Sequence, residues 1–271
     1  MGESGTVKTP PQIQIGTSGF SYEDWVGPFY PKATPKSKWF DYYVREFSCL
    51  EINATYYTWM STQAMESLAS RAPVDFRFAI KLNKTLTHTK ENPSEGIKAT
   101  IEQNLPIEDP VHLAQFPNGF RPTEESWKRI EDLSELDCLV VEFRHIDWQT
   151  KETTGRLRDL GISLCSVDAP KIKGLPEFSK ELTGEIAYIR LHGRNADKWY
   201  EHEHAFERYN YLYSYNEITK LAEDIAEMSE RANDAFVFFN NHYGAQAVTN
   251  ARQLAEVLGV ATTRSQDSLF E

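Results

Sequence analysis

Eight short apolar runs, each breaking into polar or ionisable residues, constrain this chain more than anything else in it. They fall at residues 13–17, 49–53, 76–81, 111–116, 140–142, 162–167, 186–191 and 236–239. Runs this short read as strands, and strands alternating with helical stretches pair in parallel through βαβ units. Eight such units in roughly 250 residues fit a (β/α)8 TIM barrel better than an open sheet. No Gly-x-Gly-x-x-Gly follows the first run, which argues further against a dinucleotide-binding open sheet.

The stretches between the runs carry helical punctuation. Ser37 can cap a helix reaching Phe47, with Phe40, Tyr43, Val44 and Phe47 at helical spacing. Ser61 or Thr62 opens another that stops before Pro73. Residues 90–110 hold Pro93, Pro106 and Pro110 and leave room for one short helix near residues 98–104, so the third helix is expected to be shortened or irregular. A helix from about Thr123 carries Trp127, Ile130 and Leu133 on one side, and Gly161 ends the next. Ser214 and Glu217 form a capping box before the stripe Ile218, Leu221, Ile225 and Met228. Between the seventh run and that helix lies a long insertion rich in aromatic residues.

No repeat or low-complexity linker divides the chain, so residues 13–260 are read as a single barrel domain. Residues 1–12, polar and without an apolar signal-peptide core, are expected to be a flexible leader, and residues 261–271 a frayed tail. No apolar run approaches the roughly 20 residues of a membrane span. Cys49, Cys138 and Cys165 lie far apart beside apolar runs, a pattern expected of buried, reduced thiols in a cytoplasmic protein. The net charge of −11 argues against a surface broadly adapted to polyanions, while leaving room for a local basic pocket.

In a barrel the residues that act on ligands gather at the C-terminal ends of the strands. That rule collects Ser18, Glu51, Asn53, Lys81, His88, Gln115, Glu142, Arg144, Asp168, Arg190, His192, Asn240 and Asn241. Period two places Glu51 with Asn53, Glu142 with Arg144, and Arg190 with His192 on shared faces. Arg194, just beyond the seventh strand, adds a further cation, and Trp25, Tyr56, Trp148, Trp199, Tyr211 and Tyr213 stand in loops expected on the same rim.

Several blocks along the chain resemble those of a known family. GTSGFSYEDW at residues 16–25, EINATYY at 51–57, Lys81 with Thr87 and His88, and QFP at 115–117 come in order. VEFRH at 141–145 with Trp148, DAP at 168–170, YIRLHGR at 188–194 and FNN at 239–241 follow. Together they resemble the YecE-like family, domain of unknown function seventy-two, over residues 13 to 258. The resemblance implies a TIM barrel and no established activity. Phe20 departs from it, standing where the family usually has Trp, and residues 90–110 are shorter than its pattern.

The chemistry of the collected residues points to an anion. Lys81, Arg144, Arg190 and Arg194 outnumber Glu51, Glu142 and Asp168, and an arginine fork suits phosphate. Aromatic faces beside cations suit a nucleobase, a single-stranded nucleic acid or a sugar ring. Three readings stay open: a hydrolytic enzyme acting on a phosphate-containing substrate or nucleic acid, a non-catalytic protein binding a nucleotide or anionic metabolite, and a carbohydrate-active hydrolase or isomerase. For catalysis, Glu51 or Glu142 is expected to pair with His192 in acid–base work. Alternatively Glu51, Glu142, Asp168 and His192 would ligate a divalent metal.

Overall fold

A computed structural model describes residues 13–262. The expected leader, and the expected tail from residue 263 on, lie outside the described residues. Eight strands close in sequence order into a barrel: β1 (Ile13–Ser18), β2 (Cys49–Ile52), β3 (Arg77–Lys81), β4 (Val111–Gln115), β5 (Leu139–Glu142), β6 (Ser163–Asp168), β7 (Ile186–Leu191) and β8 (Asp234–Phe239). Every neighbouring pair is parallel, and β8 closes on β1 with Ile15 opposite Val237.

Strand alternation sorts the side chains into an inner and an outer core. Cys49, Ala79, Val111, Leu113, Val140, Cys165, Val167, Tyr188, Phe236 and Phe238 pack together as one buried cluster. Gly16 makes room for this packing. A Cβ there would lie 2.3 Å from the Cys49 carbonyl oxygen and 2.9 Å from its sulfur, so β1 cedes that space to β2. The alternate residues face outwards and meet the helices: one cluster lies against β1, β2, β7 and β8, and another against β4 and β5.

The helices are α1 (Trp39–Tyr43), α2 (Ala54–Tyr57), α3 (Thr62–Ala69), α4 (Lys84–Thr87), α5 (Ser94–Asn104), α6 (Glu124–Leu133), α7 (Lys151–Asp159), α8 (Tyr215–Glu230) and α9 (Gln246–Leu258). Ser61 caps α3, Ser214 and Glu217 form the expected box on α8, and Gly259 ends α9 in the left-handed conformation. The first helix is shorter than its spacing suggests. Its C-terminal side tightens into i→i+3 bonds, from Arg45 to Tyr42 and from Glu46 to Tyr43. The third connection is irregular as expected, split between the single turn of α4 and α5. However, α5 starts at Ser94, four positions before the anticipated helix, because the Asn92 side chain accepts from the backbone and hydroxyl of Ser94.

The sixth connection departs further from the regular pattern. Residues 169–185 contain no α-helix, and polar anchors hold them over the barrel wall instead. Ser166 donates to the Ser179 carbonyl at 2.5 Å, Thr183 to that of Ile162 at 2.6 Å, and Gln149 exchanges two bonds with Glu177. Of the three thiols, Cys49 and Cys165 are buried as expected. Cys138 is exposed, in a positive-φ turn just before β5. Among the described residues no helix is long and apolar enough to cross a membrane.

Candidate functional site

One more step of period two beyond the apolar inner layer brings ionisable side chains to the C-terminal mouth. Glu51 follows Cys49, Lys81 follows Ala79, Gln115 follows Leu113, Glu142 follows Val140 and Arg190 follows Tyr188. Arg190 is the hub. Its Nε and Nη2 donate to the two Glu51 oxygens at 2.8 and 2.7 Å, and its Nη1 donates to Glu142. Tyr188 donates to Glu51 at 2.7 Å from the layer below. Arg190, Glu51 and Glu142 are all buried, so their charges are compensated inside the protein rather than by water.

Arg144 completes the pairing of Glu142. Its Nε lies 2.5 Å from Glu142 Oε1, an ion pair whose geometry falls short of a hydrogen bond. The Gln115 amide oxygen then collects donors from three strand ends: Lys81 Nζ at 2.9 Å, Arg144 Nη2 at 3.2 Å and Arg190 Nη1 at 3.4 Å. Lys81 pairs with no carboxylate among the described residues; its ammonium lies over the Tyr56 ring at 4.3 Å. Three basic side chains therefore face two carboxylates, and the one left over, Lys81, sits on the open side.

The titration behaviour follows from this arrangement. Burial opposes ionisation of Glu142, but Arg144, Arg190 and His192 outweigh it and hold the carboxyl well below its usual range. Burial, then the charge of Arg190, pushes Lys81 down to about 7 against the pull of Glu142 and Glu51. Burial, then Arg144, pushes His192 down to about 3. The neutral imidazole has a single consistent tautomer: Nε2–H faces Glu142 at 3.3 Å and Nδ1 accepts from Asn240 at 2.8 Å.

These positions correct two expectations. His192 is buried with both nitrogens engaged, so it orients Glu142 and is not poised to exchange protons with a ligand at neutral pH. Asp168 has the other strand parity and turns away from the Arg190 cluster. Arg194 grips both its oxygens, at 2.8 to 3.1 Å, and Tyr213 donates to it at 2.7 Å. Arg194 also reaches Glu217 at 2.9 Å, tying the seventh connection to α8. Among the described residues no three His, Cys, Asp or Glu side chains form a group that could hold a metal, so the expected ligand set is not assembled.

The remaining expected residues divide between rim and scaffold. His88 packs edge-on to Tyr56 at 5.2 Å, and burial with the charges of Lys81 and Arg144 lowers it to about 4. Asn53 lies beside them with a buried side-chain oxygen that has no hydrogen-bond partner. Trp25, Trp148 and Asn241 are not rim groups. Trp25 donates to the His242 carbonyl at 2.6 Å within the outer core, and Trp148 donates to that of Phe120 at 2.8 Å while stacking on Phe143. Asn241 is buried and joins the Tyr211 carbonyl to Asn250.

Two further groups belong to the mouth. Tyr188 was readable by extending the period-two argument one step below Arg190. Trp199 and Tyr209, from the long insertion, lie over His192 with ring centroids 6.3 and 6.1 Å away. Trp199 also lies between Arg144 and Arg208, at 6.0 and 5.4 Å. Trp199 stands on the rim as expected, whereas no local pattern marks Tyr209, because only the closed barrel brings the insertion across its own strand end.

Comparison with known proteins agrees with the barrel and its motifs. The family model described as "Protein of unknown function DUF72" matches residues 14–269. The UPF0759 protein YunF of Bacillus subtilis is 24% identical over 92% of this chain and 95% of its own. The crystal structure of a DUF72 family protein from Thermotoga maritima superposes with a TM-score of 0.85 at 38% identity, covering 92% of this chain and 99% of that one. A second, from Enterococcus faecalis, gives 0.81 at 25% identity, covering 94% and 99%.

Proposed function

The chain belongs to the DUF72 family, and from the geometry of its barrel mouth we propose that it binds a small molecule bearing an oxyanion, phosphate foremost. The observation that carries this reading is the surplus basic group: Lys81, Arg144 and Arg190 face only Glu51 and Glu142, which leaves Lys81 to be held in its charged form by a ligand. An oxyanion above Gln115 would balance that charge, with the Arg144 guanidinium presenting the matching fork. The unpartnered Asn53 oxygen suits a hydroxyl of the same ligand. Tyr56, with Tyr57 and Trp59 exposed beside it, offers ring faces for a base or sugar.

Binding is supported further than hydrolysis. The acid–base partner expected in His192 is neutral and occupied, and Glu142 is committed to two guanidinium groups. The ligand is small on this reading, since Arg190 and its carboxylates floor the mouth and Trp199 narrows it. The free thiols suit a reducing, cytoplasmic setting.

The test is thermal unfolding with rising inorganic phosphate, pyrophosphate and AMP, against sodium chloride at matched ionic strength. A ligand of the native state raises the melting temperature. The expected result is a rise in the wild type that Arg144→Gln abolishes. A wild type indifferent to all three, or an unchanged rise in Arg144→Gln, overturns the reading.

A further inference from the structure

Lys81 differs from every other basic group at the mouth. Arg144, Arg190 and Arg194 each pair with a carboxylate, whereas Lys81 bonds only to the Gln115 amide oxygen at 2.9 Å and lies over the Tyr56 ring. It stands at the C-terminal end of β3, half-buried and facing the open side of the Arg190 cluster. Such a lysine adds nothing to the pairing of the floor, which Arg190 and Arg144 already complete. Burial, and then the charge of Arg190, discourages the charged form, a costly way to hold a lysine that only binds anions.

We infer that Lys81 is an amine nucleophile that forms an imine with the carbonyl carbon of a small aldehyde or ketone bearing a phosphate or carboxylate. This rests on the anion-binding reading of the same mouth, since Arg144 would hold the substrate's charged group while Lys81 meets its carbonyl. The Nζ lone pair attacks the carbonyl carbon and a C–N bond forms as the C=O π pair moves to oxygen. A proton passes from nitrogen to that oxygen, giving a carbinolamine. The C–O bond then breaks, and both hydrogens of the original amine leave on water as C=N forms. Protonation of the imine restores the positive charge above Gln115 and makes the carbon skeleton an electron sink for C–H or C–C cleavage.

The groups around Lys81 suit each step. Burial, then Arg190, favours the free amine, against the opposing pull of Glu142 and Glu51, with Arg144 adding the smallest push toward the free form. Together these bring Lys81 to about 7, so about half is free amine at neutral pH, against roughly one part in three thousand for an ordinary lysine. His88 is neutral, with Nδ1 engaged by the Thr87 hydroxyl at 2.8 Å. It packs against the same Tyr56 ring, and on this open side solvent carries the proton from nitrogen to oxygen.

The experiment traps the imine. The full chain is incubated with glyceraldehyde 3-phosphate or with pyruvate, with and without sodium borohydride, and mapped by peptide mass spectrometry. The expected result is a borohydride-dependent adduct on Lys81, at least about tenfold above that on any other lysine, forming faster as pH rises from about 6 to 8. Lys81→Arg should carry none at that position, and Arg144→Gln should slow it. Labelling no greater at Lys81 than at surface lysines overturns the inference. So does a rate at Lys81 that climbs only in the range of ordinary lysine. Both readings come from the wild type alone, whatever the variants' stability. If phosphate still raises the melting temperature while no adduct forms, the imine falls and anion binding stands; if phosphate has no effect either, both fall.

Discussion

Arg190 meets Glu51 fork to fork across the barrel, Nε and Nη2 lying 2.8 and 2.7 Å from the two carboxylate oxygens. The same guanidinium takes Glu142 from β5, so one side chain of β7 ties together three strands that are not neighbours. Removing it would leave buried Glu51 without a cation and Glu142 with Arg144 alone. Arg190→Met is expected to cost about 3–5 kcal/mol in urea unfolding. Arg190→Lys should recover little of it, because an ammonium cannot fork to both partners. A loss under about 1 kcal/mol in Arg190→Met would show that the floor relaxes around the gap.

The pH dependence of stability carries a sign for each buried group. His192 sits at about 3 in the fold, against 6.5 for an ordinary histidine. Below about 6.5 the unfolded chain takes up a proton that the fold refuses, so stability should fall as pH drops from there toward 3. Lowered Glu142 adds to the loss at the acid end, where its carboxylate is protonated. Lys81, lowered from 10.5 to about 7, acts higher up: stability should climb between those values, where the unfolded chain holds a proton that the fold has released. Denaturation midpoints across pH should show both slopes. His192→Asn should flatten the first, and Lys81→Met the second.

Trp148 separates scaffold from site. It is buried, stacked on Phe143 with centroids 4.1 Å apart and set edge-on to Trp127 at 5.2 Å. Trp148→Ala is expected to cost about 3–5 kcal/mol while leaving any phosphate-induced rise in melting temperature intact. Loss of that rise in a variant that remains folded would place the indole at the rim after all.

Gly193 holds the long insertion by its backbone. It has φ +87°, its N–H donates to Tyr213 at 2.8 Å, and a Cβ would meet that of Tyr211 at 2.7 Å. Gly193→Ala should therefore cost about 1–3 kcal/mol. Gly119→Ala, where a Cβ meets nothing within 4 Å, should stay within about 0.5 kcal/mol of the wild type in the same melting experiment.

The barrel was legible because strand period and helix punctuation are local. Glu51, Lys81, Gln115, Glu142 and Arg190 could be gathered by counting in twos along their own strands. Asp168 was gathered with them by nearness to a strand end, although its parity turns it toward Arg194. Trp148 looked like a rim group beside Arg144, but only packing across β4, β5 and α6 shows that it belongs to the outer core. His192 illustrates a different gap: an imidazole's readiness to exchange protons depends on burial and partners, and Asn240 and Glu142 come from other strands. The anchors of the sixth connection left no trace either, since they join side chains to distant backbone.

That sixth connection gives the outer ring an uneven character. Most of the barrel is sheathed by helices whose apolar stripes exclude water from the wall, while behind β6 the cover is stitched on by Ser166, Thr183 and Gln149. A small cavity of about 30 Å³ lies there, between Phe143, Leu164 and Ser179. Stitches of this kind open one at a time, whereas a packed helix leaves as a unit. The wall behind β6 is therefore expected to be the seam of the barrel, the sector where amide exchange should run ahead of the helix-covered remainder.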